Sequence, residues 1–265
     1  MTSTVASPGE LLRGWRTRRR RSQMDLALDV GVSTRHLSFV ETGRSRASRE
    51  LLLDLADHLD LPLRERNALL LSAGFAPIYG ESRLDSAGLD AVREALGHLL
   101  AGHEPFPALV IDRCGDVVMS NRAVAPLLGM LDPAWSAPPV NVYRLSLHPE
   151  ALAPHIRNLD QWAGHLVHRL ERLADLTGDP RLTSLLAEAR GYAGAAATTV
   201  RSEHVVLPLH LAHPDGDLRL YSTITHFGAA WDVTLDELSI ETFVPADAPT
   251  RDLLDTWMRA GHARE

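Results

Sequence analysis

A two-domain chain of mixed class is predicted: an all-α head of five short helices over residues 1–75, then an α+β body over residues 95–265 whose antiparallel sheet carries a helical insertion, with 76–94 as the connecting segment. Three observations predict it. Residues 8–75 keep apolar positions at helical spacing, as in the stripe Leu51, Leu52, Leu55, Leu59 and Leu61. The stretch GFAPIYGESRLDS (74–86) is rich in Gly, Pro and Ser and breaks that pattern. Beyond residue 105, short runs of period two take over, separated by turn signals.

In the head, helices are expected at roughly 8–20, 22–30, 33–41, 48–60 and 63–73. Pro8 suits a first helical turn, and Ser7 or Ser22 can cap. In the body, PALVIDRCGDVVMSN reads as strand, turn at Cys114-Gly115, strand. Residues 121–130 read as helix, DPAWSAPPV as loop, and 150–196 as long helical runs broken at Gly178-Asp179-Pro180. HVVLPLHL alternates Val205, Leu207, Leu209 and Leu211 against His204, Val206, Pro208 and His210. PDGD makes a turn, and LRLYSTITHF and LSIETFV supply two more strands. No repeat at a period of 20–50 residues is present.

The 265 residues, 45% hydrophobic, suffice for one large domain or two ordinary ones. No run approaches the 18 or so apolar residues of a membrane span, and the first residues put their charges after a short mixed segment, the reverse of a secretory signal. A cytoplasmic protein with no membrane partner is expected. The lone Cys114 rules out an internal disulfide and a Cys-rich zinc site. Every basic residue is arginine, and charge is uneven: residues 1–75 carry a net +3 and the remainder a net −10. A basic head on an acidic body points to a polyanionic partner for the head alone.

SQMDLALDVGVSTRHLSFVETG (22–43) explains that partner. A helix ending near Val30 needs a residue that tolerates positive φ to turn sharply, which Gly31 supplies. Val32 plugs the gap between two helices, Ser33 caps the second, and Leu26, Leu37 and Val40 point inward. Thr34, Arg35 and Ser38 then face outward near the N-terminal end of a helix that can enter a DNA major groove. Gln23 begins the helix that crosses the backbone, Arg44 and Arg46 follow in a loop placed for phosphates, and one or two of Arg18 to Arg21 are expected to reach phosphate as well. The candidate DNA-binding set is Gln23, Ser33, Thr34, Arg35, Ser38, Arg44 and Arg46.

This stretch, with S-Q, L-A, G-V-S, an apolar residue at 37 and E-x-G at 41–43, resembles the phage-repressor (XRE, Cro-like) helix-turn-helix over about 65 residues. The resemblance implies a pairing of Arg16 with Glu41. His36 and Phe39 are bulkier than usual for the family on the second helix, which leaves the base preference open. A homodimer on an imperfect palindrome is expected, because one such module covers few base pairs.

For the body, three classes compete: a ligand sensor, an enzyme, and a dimerisation or interaction domain. No catalytic set assembles: G-x-S-x-G, H-E-x-x-H, a Walker loop and G-x-G-x-x-G are all missing, and GYAGAA (191–196) follows a helix rather than a strand. His165 with His168, and His210 with His213, have spacings that can share a metal, but no carboxylate completes an H-E-x-x-H set. No cofactor, metal or enzymatic activity is assigned. NRAVAPLLG, NVYRLSLHPEALAPHIRNLDQWAGHLVHRLERL and above all THFGAAWDVTLDELSIETFVPADAPT resemble the MmyB-like regulators, in which a PAS-like ligand-binding domain follows a Cro-like module. That resemblance implies a small apolar ligand, with a fatty acid or acyl derivative leading. Leu207, Leu209 and Leu211 on one strand and Leu218, Leu220 and Ile224 on another offer an apolar face, though core packing explains most of them equally. Asn121, Arg144, Trp162 and His226 are the candidates to orient a head group, Arg144 because a guanidinium grips a carboxylate bidentately. A body that only dimerises is the alternative.

Overall fold

The computed structural model describes residues 6–194 and 206–262. His204, Val205 and the end of GYAGAA lie outside the described residues.

Two compact units form. The first runs to Ser82 and also takes in Ala229–Asp236; the second holds Arg83–Gly228 and the chain from Glu237.

Five helices build the first unit: α1 (Pro8–Arg18), α2 (Gln23–Asp29), α3 (Thr34–Glu41), α4 (Arg49–His58) and α5 (Leu63–Ser72). Their starts are chemical. Ser7, Ser22, Ser33 and Ser48 each accept a hydrogen bond from a first-turn amide, which has no partner inside its helix. Glu10 returns the favour to Ser7 N at 2.8 Å, completing a capping box. Leu12, Leu26, Leu37, Leu52, Leu55 and Leu59 are fully buried; of the Leu51–Leu61 stripe, Leu51 remains half-buried. Gly9 permits α1 to lie on α3, since a Cβ there would stand 2.5 Å from the Val40 carbonyl oxygen.

The second unit opens with α6 (Asp90–His103), a helix that starts within the segment read as a connection. A five-stranded antiparallel sheet follows: β1 (Ala108–Ile111), β2 (Val117–Ser120), β3 (Leu209–Leu211), β4 (Leu218–His226) and β5 (Ser239–Pro245), in the order β2-β1-β5-β4-β3. The helical insertion lies between β2 and β3: α7 (Ala125–Gly129), α8 (Val142–Leu147), α9 (Leu159–Thr177) and α10 (Pro180–Ala193). Gly178, at φ +70°, ends α9, and Asp179 caps α10. The short α11 (Val233–Glu237) falls in the first unit but for its last residue, and α12 (Ala248–His262) is the last helix of the second.

Three segments differ from the sequence reading. Residues 150–158 are not part of a long helix: a 3-10 turn at Ala153–His155 leads to Ile156, which bridges to Leu211. Of the described part of HVVLPLHL, only Leu209–Leu211 forms strand: Pro208 has no N–H for a ladder and β3 is an edge strand. α12 is a helix where the sequence reading assigns no element, although Leu253, Leu254 and Trp257 carry its helical spacing; Leu254 is fully buried.

The β4–β5 connection supplies Ala229–Asp236 to the first unit. There Val233 N donates to the Gly80 carbonyl at 2.7 Å, and Asp232 accepts from Ser82 N at 3.0 Å. The Trp231 ring stands 6.3 Å from Tyr79.

Candidate DNA-reading face and ligand cavity

The α2–α3 pair is held by one glycine and one valine. Gly31 takes φ +74°, the half-buried Val32 packs on the head core, and its N–H donates to the Ala27 carbonyl at 2.9 Å. Leu26, Leu37 and Val40 are buried, so the opposite side of α3 faces outward. Ser33, Thr34 and Arg35 are exposed and Ser38 is half-exposed. Arg44 and Arg46 are exposed in the loop beyond Gly43. Phe39, one of the two bulky departures, has a use: the Arg35 and Arg44 guanidinium carbons lie 5.3 and 5.9 Å from its ring centre.

Behind this face sits a buried ion pair. Arg16 donates through Nε to Glu41 Oε1 at 2.6 Å and through Nη2 to Oε2 at 3.0 Å, while Nη1 donates to the Arg21 carbonyl at 2.8 Å. Gln23 Nε2 adds a third bond to Glu41 Oε2 at 2.7 Å. The bond to Glu41 raises the Arg16 pKa further above its ordinary value. Gln23, expected at the DNA backbone, thus gives one of its two amide N–H groups to Glu41. The arginine run is also largely occupied. Arg18 and Arg19 lie against the Trp15 ring, Arg19 Nε donates to the Leu59 carbonyl at 2.8 Å, and Arg21 pairs with Asp29.

In the second unit, a cleft opens between one face of the sheet and α7–α9 and encloses about 700 Å³ counting its open mouth. Leu109 of β1, Leu209 and Leu211 of β3, Leu220 of β4 and Phe243 of β5 form the floor. Leu127 and Leu128 of α7, Val142 and Leu145 of α8, and Trp162 and Leu166 of α9 form the roof. The wall is almost wholly apolar. Its ionic part is Arg169 of α9, whose Nη1 donates to Glu241 Oε2 of β5 at 3.1 Å; Ser222 Oγ donates to Glu241 Oε1 at 2.6 Å. Arg169 also lies 5.5 Å from the Tyr143 ring centre, and burial pushes the Tyr143 hydroxyl up to about 12.

Residues 92–256 match the family model of the MmyB-like transcription regulator ligand binding domain. The chain belongs to the MmyB-like transcription regulators. Residues 9–69 of this regulator match a helix-turn-helix domain, the segment that builds α1–α5. No curated protein matches it. Among solved structures, one described as an RNA-binding light-oxygen-voltage receptor is 14% identical with a TM-score of 0.26; the alignment covers 97% of this chain and 64% of that one.

The structure brings Trp162, Leu209, Leu211 and Leu220 of the regulator to the cavity and places Asn121, Arg144, Leu207, Leu218, Ile224 and His226 elsewhere. Asn121 is buried, but its amide is consumed: Oδ1 accepts from Ala108 N, and Nδ2 donates to the Leu100 and Phe106 carbonyls at 3.1 and 2.8 Å. It ties α6 to β1. Arg144 points to the surface and grips Glu188 bidentately, both bonds 2.9 Å. That bond raises the Arg144 pKa and lowers that of Glu188. Leu207 packs at the margin of the body core without lining the cavity. Ile224 and His226 lie on the exposed half of β4. Arg169 and Glu241 line the cavity without being among the residues the sequence singles out. Trp162, Leu166 and Arg169 fall four and three residues apart, one face of α9, so spacing carries that signal. For Glu241 no such signal exists, since alternation along LSIETFV fits either face.

Among the described residues, no three His, Cys, Asp or Glu side chains gather as a metal set. His165 packs on Trp162, His168 pairs with Glu171, His210 reaches Asp217 and His213 packs on Trp257. No described helix is long and apolar enough to cross a membrane.

Proposed function

We propose that this regulator works in the cytoplasm as a homodimer that reads an imperfect palindrome through α3 of a Cro-like head. An elongated apolar molecule, a fatty acid or acyl derivative, occupies the body cavity and changes operator affinity. The observation that carries this reading is an almost wholly apolar cavity in the family's ligand-binding domain, in a chain whose other domain exposes Thr34 and Arg35 on the second helix of a helix-turn-helix. The body contributes no catalysis in this reading.

On the DNA side, selection from random duplexes is expected to enrich a two-fold repeated site. Arg35→Ala is expected to weaken that site roughly 10- to 100-fold and relax one base pair per half-site. Arg44→Ala is expected to weaken all sequences alike and flatten the salt dependence. Selection that enriches nothing overturns the reading of α3, and a monomer by light scattering both free and on the selected site overturns the dimer.

On the ligand side, delipidated protein is titrated with saturated acids and their esters of increasing length while operator affinity is followed. A change of roughly 5- to 150-fold is expected at saturation, the usual span of allosteric coupling. A ligand with equal affinity for both states shifts nothing. Leu145→Trp, which fills the cavity from α8, is expected to abolish both binding and the operator response while leaving operator affinity intact. A body that only dimerises predicts no thermal shift with any chain length; an enzyme predicts turnover.

A further inference from the structure

We infer that Phe39 reads thymine: its ring packs on the C5-methyl group of a thymine in the major groove, at a base pair next to the one that Arg35 reads. The inference rests on the reading of α3 as the DNA-reading helix. Position comes first. Leu37, Val40 and Glu41 are the buried residues of α3. At about 3.6 residues per turn they define its inner side, and Arg35 and Phe39, four residues apart, share the opposite side. Phe39 is half-buried, yet its ring is not part of the head core that takes Leu37 and Val40. Its neighbours are instead the guanidiniums of the exposed Arg35 and Arg44, at 5.3 and 5.9 Å from the ring centre. A large apolar side chain therefore stands in one patch with the arginines proposed for base and phosphate contact.

Chemistry selects the target. A phenyl ring offers no hydrogen bond to a base edge, so it discriminates by apolar contact. The apolar group that tells base pairs apart in the major groove is the thymine methyl. Spacing then sets the place. Successive base pairs rise by about 3.4 Å. The 5.3 Å from the Arg35 guanidinium carbon to the ring centre is shorter than two such steps, so the two side chains serve neighbouring base pairs. A ring that only flanks the two arginines would be indifferent to the methyl, and this separates the two roles.

The test uses the full-length protein and the site it enriches from random duplexes. Each thymine of that site is replaced in turn by deoxyuridine, which keeps the pairing and removes only the methyl. Affinity is expected to fall about fourfold at one thymine in each half-site, the worth of burying one methyl-sized group, beside the pair that Arg35→Ala relaxes. At that position 5-methylcytosine is expected to bind better than cytosine. In Phe39→Ala both differences are expected to vanish. The head should melt as before, because the ring lies outside its core. If Phe39→Ala does not fold, the wild-type deoxyuridine scan decides alone. The absence of a methyl-sensitive thymine beside the Arg35 pair, or the same sensitivity in folded Phe39→Ala, overturns the inference and leaves the reading of α3 standing. A selection that enriches nothing removes the reading of α3, and the inference fails with it.

Discussion

Glu41→Gln is expected to lower the stability of the head by about 3 kcal/mol, the lower end of the cost of removing one partner from a buried ion pair. For a unit of this size that corresponds to a fall of roughly 12–24 °C in its melting temperature. The reason is geometric. Glu41 is 5% exposed and accepts from Arg16 twice and from Gln23 once. The amide keeps the shape but loses the charge and turns one acceptor into a donor facing the Arg16 and Gln23 donors. Arg16 is then left largely buried without a counter-charge, with the Arg21 carbonyl and one amide oxygen to meet it. Calorimetry of the whole chain is the measurement, with the head transition expected to move and the body transition to stay. Operator affinity should fall too, because Glu41 is the last residue of α3 and fixes it against α1 and α2. An unmoved head transition would mean that solvent screens this pair as it screens surface pairs.

Arg169→Met is expected to cost the body roughly 3–5 kcal/mol by leaving Glu241 buried with Ser222 as its remaining partner. Methionine keeps much of the volume over the Tyr143 ring, so lost charge rather than lost packing sets the size of the effect. Two comparisons isolate the cause. Arg144→Met breaks an ion pair with side chains 47% and 31% exposed and should cost about 0–1 kcal/mol. Arg169→Met combined with Glu241→Leu should recover most of the single-variant loss, because buried pairs replaced together by apolar groups are often neutral. Urea denaturation gives all three values. A double variant no better than the single one would show that packing, not charge, dominates at Arg169.

The sequence by itself determined whatever rests on local rules. Serine caps, the positive-φ glycine at 31 and leucines at helical spacing fix α1–α5 to within two residues of the expected bounds, because each signal acts within one turn of helix. The outward set Thr34, Arg35 and Ser38 follows once Leu37 and Val40 are inside. The order of two strands, a helical insertion and three strands was legible for the same reason: period and turn residues are local. The Arg16–Glu41 pairing came from the family pattern, since 25 residues separate its ends.

Only the tertiary structure decided the cavity. Asn121 and Arg144 have the right chemistry for a ligand, but their donors go to the Leu100 and Phe106 carbonyls and to Glu188. Partners so distant in sequence leave no trace in local spacing. Glu241 becomes a cavity residue because β5 lies between β1 and β4 and turns that side chain toward α9, and Arg169 becomes one because α9 lies across the sheet. Strand alternation names two faces without saying which is inside; long-range packing makes that choice. The same holds for Trp231 and Asp232, which sit between two strands of the sheet in sequence yet pack with Tyr79 and Ser82.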